Sequence, residues 1–168
     1  MRKATVEFSR PIPVDRIPRG GSYEKIKAES AECVAVAKRL GIPAVHALTA
    51  EIRATPWRGG GLKLDGFLVA DLHQVSVVSL EPFRSEVRHP VLRYFLPPGA
   101  VNTEEEDDAD PIEHGEVDLG EVVTETLALE LDPYPRKEGE AFEEHIESVD
   151  EEPEKLSPFA DLTKLTPG

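Results

Sequence analysis

The sequence has few of the residues that build disulfides, metal sites or membrane spans. Its 168 residues include a single cysteine, so no disulfide can form within the chain and no cysteine-rich zinc site is available. No run approaches the ~18 consecutive apolar residues of a membrane span, and the first residues lack the apolar core of a signal peptide. We therefore expect a cytoplasmic protein that does not engage a membrane.

Motifs of catalytic sites are also missing. The five histidines show neither the His-x-x-x-His nor the His-Glu-x-x-His spacing of zinc sites, and no Gly-x-Ser-x-Gly motif occurs. The Gly-rich loop at residues 59–61 lacks the Lys-Ser/Thr pair and the following helix of a phosphate-binding loop. Paired carboxylates are frequent, but they lie in segments where nothing would desolvate them. The sequence therefore predicts no catalytic residue, no metal and no cofactor, hence a protein that is not an enzyme.

Alternating runs of apolar and polar residues predict an antiparallel hairpin at the centre of the fold. Residues 46–56 and 62–72 both alternate, and Gly59-Gly60-Gly61 lies between them. Residues 75–80 are apolar on both phases, which predicts a strand covered on both faces, and residues 87–96 predict a fourth strand. The pattern indicates a four-stranded antiparallel meander, as either an open sheet or a small barrel.

Two amphipathic helices are expected to pack against this meander, which makes the fold class α+β. The first is predicted over Glu24–Leu40, with Gly41 as its C-cap and Cys33 as an inert core residue on its apolar stripe. The second begins after Asp118, whose carboxylate is suited to cap it, and ends at the proline-rich segment 132–135.

Charge is divided unevenly along the chain. Residues 1–100 carry 15 Lys and Arg against 10 Asp and Glu, whereas residues 101–168 carry 4 against 23. We predict one α+β domain over residues 1–136, with an internal acidic linker at 101–114, and an acidic, partly disordered C-terminal tail over residues 137–168. These acidic segments keep the protein soluble, or else the folded half offers a polyanion-binding surface while the acidic half restrains it or recruits a basic partner.

Cations surround the tip of the predicted hairpin together with the single tryptophan. Positive charge beside a stackable ring is a combination that holds single-stranded or looped RNA. The alternative is that the tryptophan folds back over the sheet and the cations only solvate the turn. The candidate RNA-binding residues are Arg53, Trp57, Arg58 and Lys63 at the tip, with Arg84, Arg88 and Arg93 of the next hairpin as candidates to extend the same basic face.

Apolar residues return at helical spacing near the end of the acidic tail. Phe159, Leu162 and Leu165 lie at i, i+3 and i+6 in a short segment that begins with Ser157-Pro158. A segment of about eight residues is too short to be a stable helix alone, so its order must come from a surface. We predict that these three residues dock, either on the protein's own sheet or on a partner.

Several segments resemble the signatures of a known family. GEVDLGEVV at residues 115–123, with LDPYP at 131–135, is similar to the central motif of the YceD/DUF177 family. PFADL at residues 158–162 looks like its C-terminal motif, and VVSLEPF at 77–83 resembles its strand motif in the alphaproteobacterial branch. Many members carry a cysteine in that strand where this chain has Ser76, so no metal or redox role is carried over.

The resemblance implies a role in the accumulation of large-subunit (23S) ribosomal RNA, and hence in ribosome biogenesis. Together with the residues above, it predicts a non-enzymatic factor that binds this RNA or an assembly intermediate. The alternative is a protein-interaction adaptor whose acidic segments bind basic ribosomal proteins without touching RNA.

Overall fold

The computed structural model describes residues 6–100 and 109–140, which form a twisted sheet with two helices packed on one of its faces. The helices are α1 (Ser30–Leu40) and α2 (Leu119–Glu130). The strands are β1 (Pro11–Pro13), β2 (Ser22–Lys27), β3 (Ala44–Trp57), β4 (Gly61–Val75), β5 (Pro82–Leu96), β6 (Asp110–Pro111) and β7 (Glu116–Asp118). No helix in these ranges is long and apolar enough to cross a membrane.

The main sheet is open and has the strand order β2-β3-β4-β5-β6. Its first four strands are antiparallel neighbours, and only the short β6 pairs in parallel with β5. A second, two-stranded sheet joins β1 to β7. The predicted α+β class is confirmed, and of the two sheet forms left open by the sequence the open sheet is the one observed.

The hydrophobic core lies between the sheet and the helices. Alternate residues of β3 and β4 point into it, as the period-2 pattern predicts, and Leu48, Leu64 and Leu68 are fully buried. The helix α1 packs over β3, whereas α2 packs over β4 and β5. Both helices therefore cover the same face of the sheet, which leaves the other face without a helix in the described part of the chain.

The first helix begins later than predicted. Residues Ser22–Lys27 form β2, which pairs with β3 along the sheet edge and buries Ile26. Helix α1 starts after Glu29, where the side chains of Glu29 and Glu32 form a reciprocal capping box. The prediction of a helix from Glu24 was wrong, because residues 22–27 also fit the polar–apolar alternation of a strand. Their pairing with β3 favours the strand over the helix. The predicted cap at Gly41 is confirmed, with a left-handed φ of 66°.

The strand predicted at residues 75–80 is also wrong, because most of this segment is the turn that joins β4 to β5. The buried hydroxyl of Ser76 accepts hydrogen bonds from the backbone N–H groups of Val78 and Ser79 at 3.1 and 3.3 Å. The chain after α2 covers this turn, and Val77 N donates to the Pro135 carbonyl at 2.9 Å. Leu80 in this segment is 76% exposed, so the apolar residues on both phases do not mark a strand covered on both faces.

Part of the predicted acidic linker lies against the sheet. Asp110 and Pro111 form β6, and Ile112 is buried and donates its N–H to the Leu96 carbonyl at 2.8 Å. The rest of that linker, residues 101–108, falls outside the described residues, and so do residues 141–168 of the tail. The domain boundary at residue 136 therefore stays a prediction.

Candidate nucleic-acid interface

The sheet face opposite the helices carries most of the candidate RNA-binding residues. Directly paired residues of neighbouring strands place their side chains on the same face, and the register pairs Thr55 with Lys63 and Lys63 with Tyr94. The same alternation along β3, β4 and β5 places further side chains beside them. We call this surface the outer face, and its members include Tyr23, Lys25, Lys27, Arg53, Trp57, Lys63, Phe67, Arg84, Arg88, Leu92 and Tyr94.

The tip of the β3–β4 hairpin holds the tryptophan against the sheet. Gly59 and Gly60 adopt φ values of 62° and 80°, which glycine tolerates without a steric cost and which let three residues close the turn. Trp57 is half-buried, and its ring packs against Tyr94 with centroids 4.7 Å apart. The ring has thus folded back, as one of the two interpretations of the sequence held, and it forms an aromatic pair that the sequence did not predict. Arg58 lies exposed at the tip itself.

Two arginines of the outer face lie over aromatic rings. The Arg53 guanidinium is 5.3 Å from the Tyr23 ring centroid and donates to the Gly20 carbonyl at 3.2 Å. The Arg88 guanidinium is 4.3 Å from the Phe67 ring centroid. Within residues 6–100 and 109–140, neither arginine forms an ion pair with a carboxylate. No carboxylate of the described fold therefore lies within ion-pairing distance of either guanidinium.

Three further cations of the outer face form ion pairs with carboxylates. Lys25 contacts Glu51 at 2.9 Å, and Lys63 contacts Asp65 at the longer distance of 3.8 Å. Arg84 holds Asp71 through two hydrogen bonds, which lower the pKa of that carboxyl. Arg84 is thus engaged by a carboxylate of its own protein.

Arg93 does not belong to the outer face. It pairs with Leu64, whose side chain is buried in the core, so Arg93 lies on the helix side of the sheet. There it makes ion pairs with Asp110 and, at 3.4 Å, with Glu125. The prediction that Arg93 extends the basic face was wrong, because odd-numbered positions of β5 face the core and even-numbered ones face outward. Arg93 instead ties β5 to β6 and α2.

Reactive groups elsewhere in the described residues offer little chemistry. Burial raises the pKa of the Cys33 thiol, so the nucleophilic thiolate is disfavoured, as its predicted core position implies. His46 Nε2 and His73 Nδ1 lie 2.5 Å apart at the far end of the outer face. No group of three or more His, Cys, Asp and Glu side chains in residues 6–100 and 109–140 is placed to hold a metal ion.

The base of the C-terminal tail is held at one end of the sheet. The Ser76 hydroxyl donates to the Glu140 carboxylate, which lowers the pKa of Glu140, and Lys137 forms an ion pair with Glu81. The described base of the tail, residues 137–140, therefore lies beside the β4–β5 turn. The predicted docking residues Phe159, Leu162 and Leu165 lie outside the described residues.

Comparison with known families gives one informative match. A family model described as "Large ribosomal RNA subunit accumulation protein YceD" matches residues 64–166. This range begins in β4 and includes β5, α2 and the tail. Comparisons with curated proteins and with solved structures return no match.

Proposed function

The chain belongs to the YceD family, and from this membership and the outer face we propose that it promotes accumulation of large-subunit ribosomal RNA by binding RNA. The bound species is the 23S RNA itself or an assembly intermediate that contains it. The protein acts in the cytoplasm as a binding factor and not as an enzyme.

The observation that supports RNA binding most directly is the composition of the outer face. Arg53 and Arg88 are not paired with carboxylates of the described residues, and each lies beside an aromatic ring. Lys63, Arg58 and Trp57 add charge and a ring at the adjacent hairpin tip. Cations attract the phosphate backbone, and rings hold unstacked bases. Arg84 adds a further positive charge to this face when an RNA phosphate competes with Asp71 for its guanidinium.

We also propose that the end of the tail docks on a partner in the pre-ribosomal particle. The three apolar residues Phe159, Leu162 and Leu165 follow a strongly acidic stretch that favours reach over packing. Phe159→Ala should then leave the melting temperature unchanged while association with pre-ribosomal particles falls. A lower melting temperature would instead place the segment on the protein's own surface, where burial of a Phe side chain contributes about 1.5–3 kcal/mol.

The test of RNA binding compares two charge-matched double variants. Arg53→Gln with Arg88→Gln removes two cations from the outer face, whereas Arg16→Gln with Lys38→Gln removes two exposed cations from elsewhere on the domain. In a titration of 23S RNA fragments at several salt concentrations, the first variant should lower the log–log salt slope by about 1.4, at ~0.7 per single-strand phosphate contact. The second variant should leave the slope unchanged.

Crosslinking in cells provides the independent check. RNA should dominate the crosslinked material of the native protein, and the outer-face variant should lose it. If both variants keep native slopes and the crosslinks are to ribosomal proteins, the adaptor function replaces the RNA-binding one.

A further inference from the structure

Aromatic rings lie at three places on the outer face, and each place combines a ring with a second planar group. At the hairpin tip the rings of Trp57 and Tyr94 pack together with a tilt of 48°. On the β2 side Arg53 lies over Tyr23, and at the centre of the sheet Arg88 lies over Phe67. We call these three pairs the platforms. Tyr23 is 78% exposed, so its platform is open to a large ligand.

The strand register sets the spacing of the platforms. Three successive outward-facing positions of β4 locate the platforms. Lys63 lies beside Tyr94, Asp65 lies beside Arg53, and the third position is Phe67 itself. Successive side chains on one face of a strand are separated by about 6.8 Å. Stacked nucleotides of one strand in a duplex rise by only ~3.4 Å. Bases that occupy neighbouring platforms therefore cannot remain stacked on each other.

The chemistry of the platforms suits bases that have left a helix. A guanidinium that lies over a ring is planar, so it offers one face to a base and directs N–H groups from its edge towards phosphate oxygens. An unstacked base gains a new stacking partner, and the adjacent phosphate gains a cation. A base pair inside a duplex has no free face to offer.

We propose that the outer face binds unpaired RNA, with separate bases on the Trp57–Tyr94, Tyr23–Arg53 and Phe67–Arg88 platforms. This assignment rests on the proposed function and adds the form of RNA that is recognised. An acidic protein segment without aromatic residues would satisfy Arg53 and Arg88, but it would leave the rings without a stacking partner. RNA satisfies both the charge and the rings.

The experiment measures affinity of the full chain for two probes by fluorescence anisotropy. One probe is a 12-nucleotide oligoadenosine, and the other is an RNA duplex of the same length in base pairs. The single strand should bind at least ten times more tightly than the duplex. Tyr23→Ala and Trp57→Leu should each weaken single-strand binding by about 5- to 150-fold, the loss expected for one stacked base, and should leave duplex binding unchanged.

Tyr134→Ala is the matched control. Tyr134 is 69% exposed and precedes Pro135, which contacts the β4–β5 turn at the end of the sheet opposite the hairpin tip, so its removal should change neither affinity. Tyr23 is not part of the core, which keeps the test valid if the Trp57 variant fails to fold.

The outcomes separate this inference from the proposed function. Equal affinity for both probes, or unchanged affinity in the Tyr23 and Trp57 variants, would overturn the inference while RNA binding stands. Failure of the native protein to bind either probe or any 23S fragment would overturn both. Single-strand binding that appears only after the tail acids are replaced by Gln, and that Tyr23→Ala and Trp57→Leu then leave unchanged, would place the binding surface elsewhere and would also overturn the inference.

Discussion

The carboxylate of Asp118 joins the N-terminal segment to the second helix. Its Oδ1 accepts from the backbone N–H groups of Gly120 and Glu121 at 3.0 and 3.2 Å, and from that of Arg10 at 2.7 Å. The helix cap at this residue was predictable, because an acid before an apolar stripe is a local signal. The contact with Arg10 was not predictable, because it depends on how residues over 100 positions apart are brought together.

A second residue-scale contact makes stability depend on pH. Arg10 holds both carboxylate oxygens of Glu32 at 2.8 and 2.9 Å, and this hydrogen bonding lowers the pKa of Glu32 below its ordinary value of 4.5. A carboxyl whose pKa is lower in the folded state than in the unfolded state adds to the stability of the fold. This contribution is complete above the pKa of the unfolded state and is lost as pH falls through the pKa of the folded state.

Glu32→Gln should therefore lower the free energy of unfolding by on the order of 1 kcal/mol at pH 7, with a smaller difference below about pH 4.5. Urea unfolding of both proteins from pH 7 to pH 3 measures this difference. Glu51→Gln is the control, because Glu51 pairs with Lys25 on the surface, with 52% and 78% of the side chains exposed. A pH-independent difference for Glu32→Gln would contradict the coupling.

Among the elements, β4 depends on a glycine at its centre. A methyl group at Gly66 would lie 2.0 Å from the Glu51 carbonyl oxygen and 2.8 Å from the Ile52 Cα, so β3 and β4 would have to move apart. Gly66→Ala should lower the free energy of unfolding by about 3 kcal/mol or more. Chemical denaturation measures the loss. Gly20→Ala is the control, because nothing lies within 4 Å of the added carbon at that position. Equal losses of stability in the two variants would refute the close approach of β3 to β4 at Gly66.

Strands and helices were predicted well where the local sequence pattern fitted only one type of secondary structure. The β3–β4 hairpin and α2 follow from alternation, glycine and an N-cap, and they were found nearly as expected. The strand β2 was missed, because its alternation competes with a helical stripe that continues into α1. The sequence did not predict that Tyr23, Phe67 and Tyr94 lie beside Arg53, Arg88 and Trp57, because only the register of four strands brings these residues together.

At the scale of the whole molecule, we expect the negative charge of the tail to oppose the approach of RNA. The described base of the tail, residues 137–140, lies beside the β4–β5 turn, and residues 141–168 contain eight acidic and two basic residues. Replacing Glu143, Glu144, Glu147, Glu151, Glu152 and Glu154 by Gln should raise the RNA association rate on the order of 10-fold at low salt.

The gain should vanish in high salt, where a Debye length of about 3 Å at 1 M screens the tail from the RNA. Stopped-flow measurements at both salt concentrations test this expectation. The same six residues changed to Asp keep the charge and serve as the control. A rate increase that persists in high salt would show that the tail acts by steric cover and not by charge.

The pairing of β1 with β7 has a consequence for synthesis of the protein. Ile12 pairs with Val117, a separation of 105 residues. A ribosome that adds ~5–20 residues per second leaves β1 without its partner for roughly 5–20 s. The β3–β4–β5 hairpins need no later residue and are free to form in that interval. We therefore expect nascent chains stalled before Asp110 to be cleaved by protease near Pro11, and chains stalled well beyond Glu130 to resist. The strand β1 is thus made before the other strands and is paired only after them.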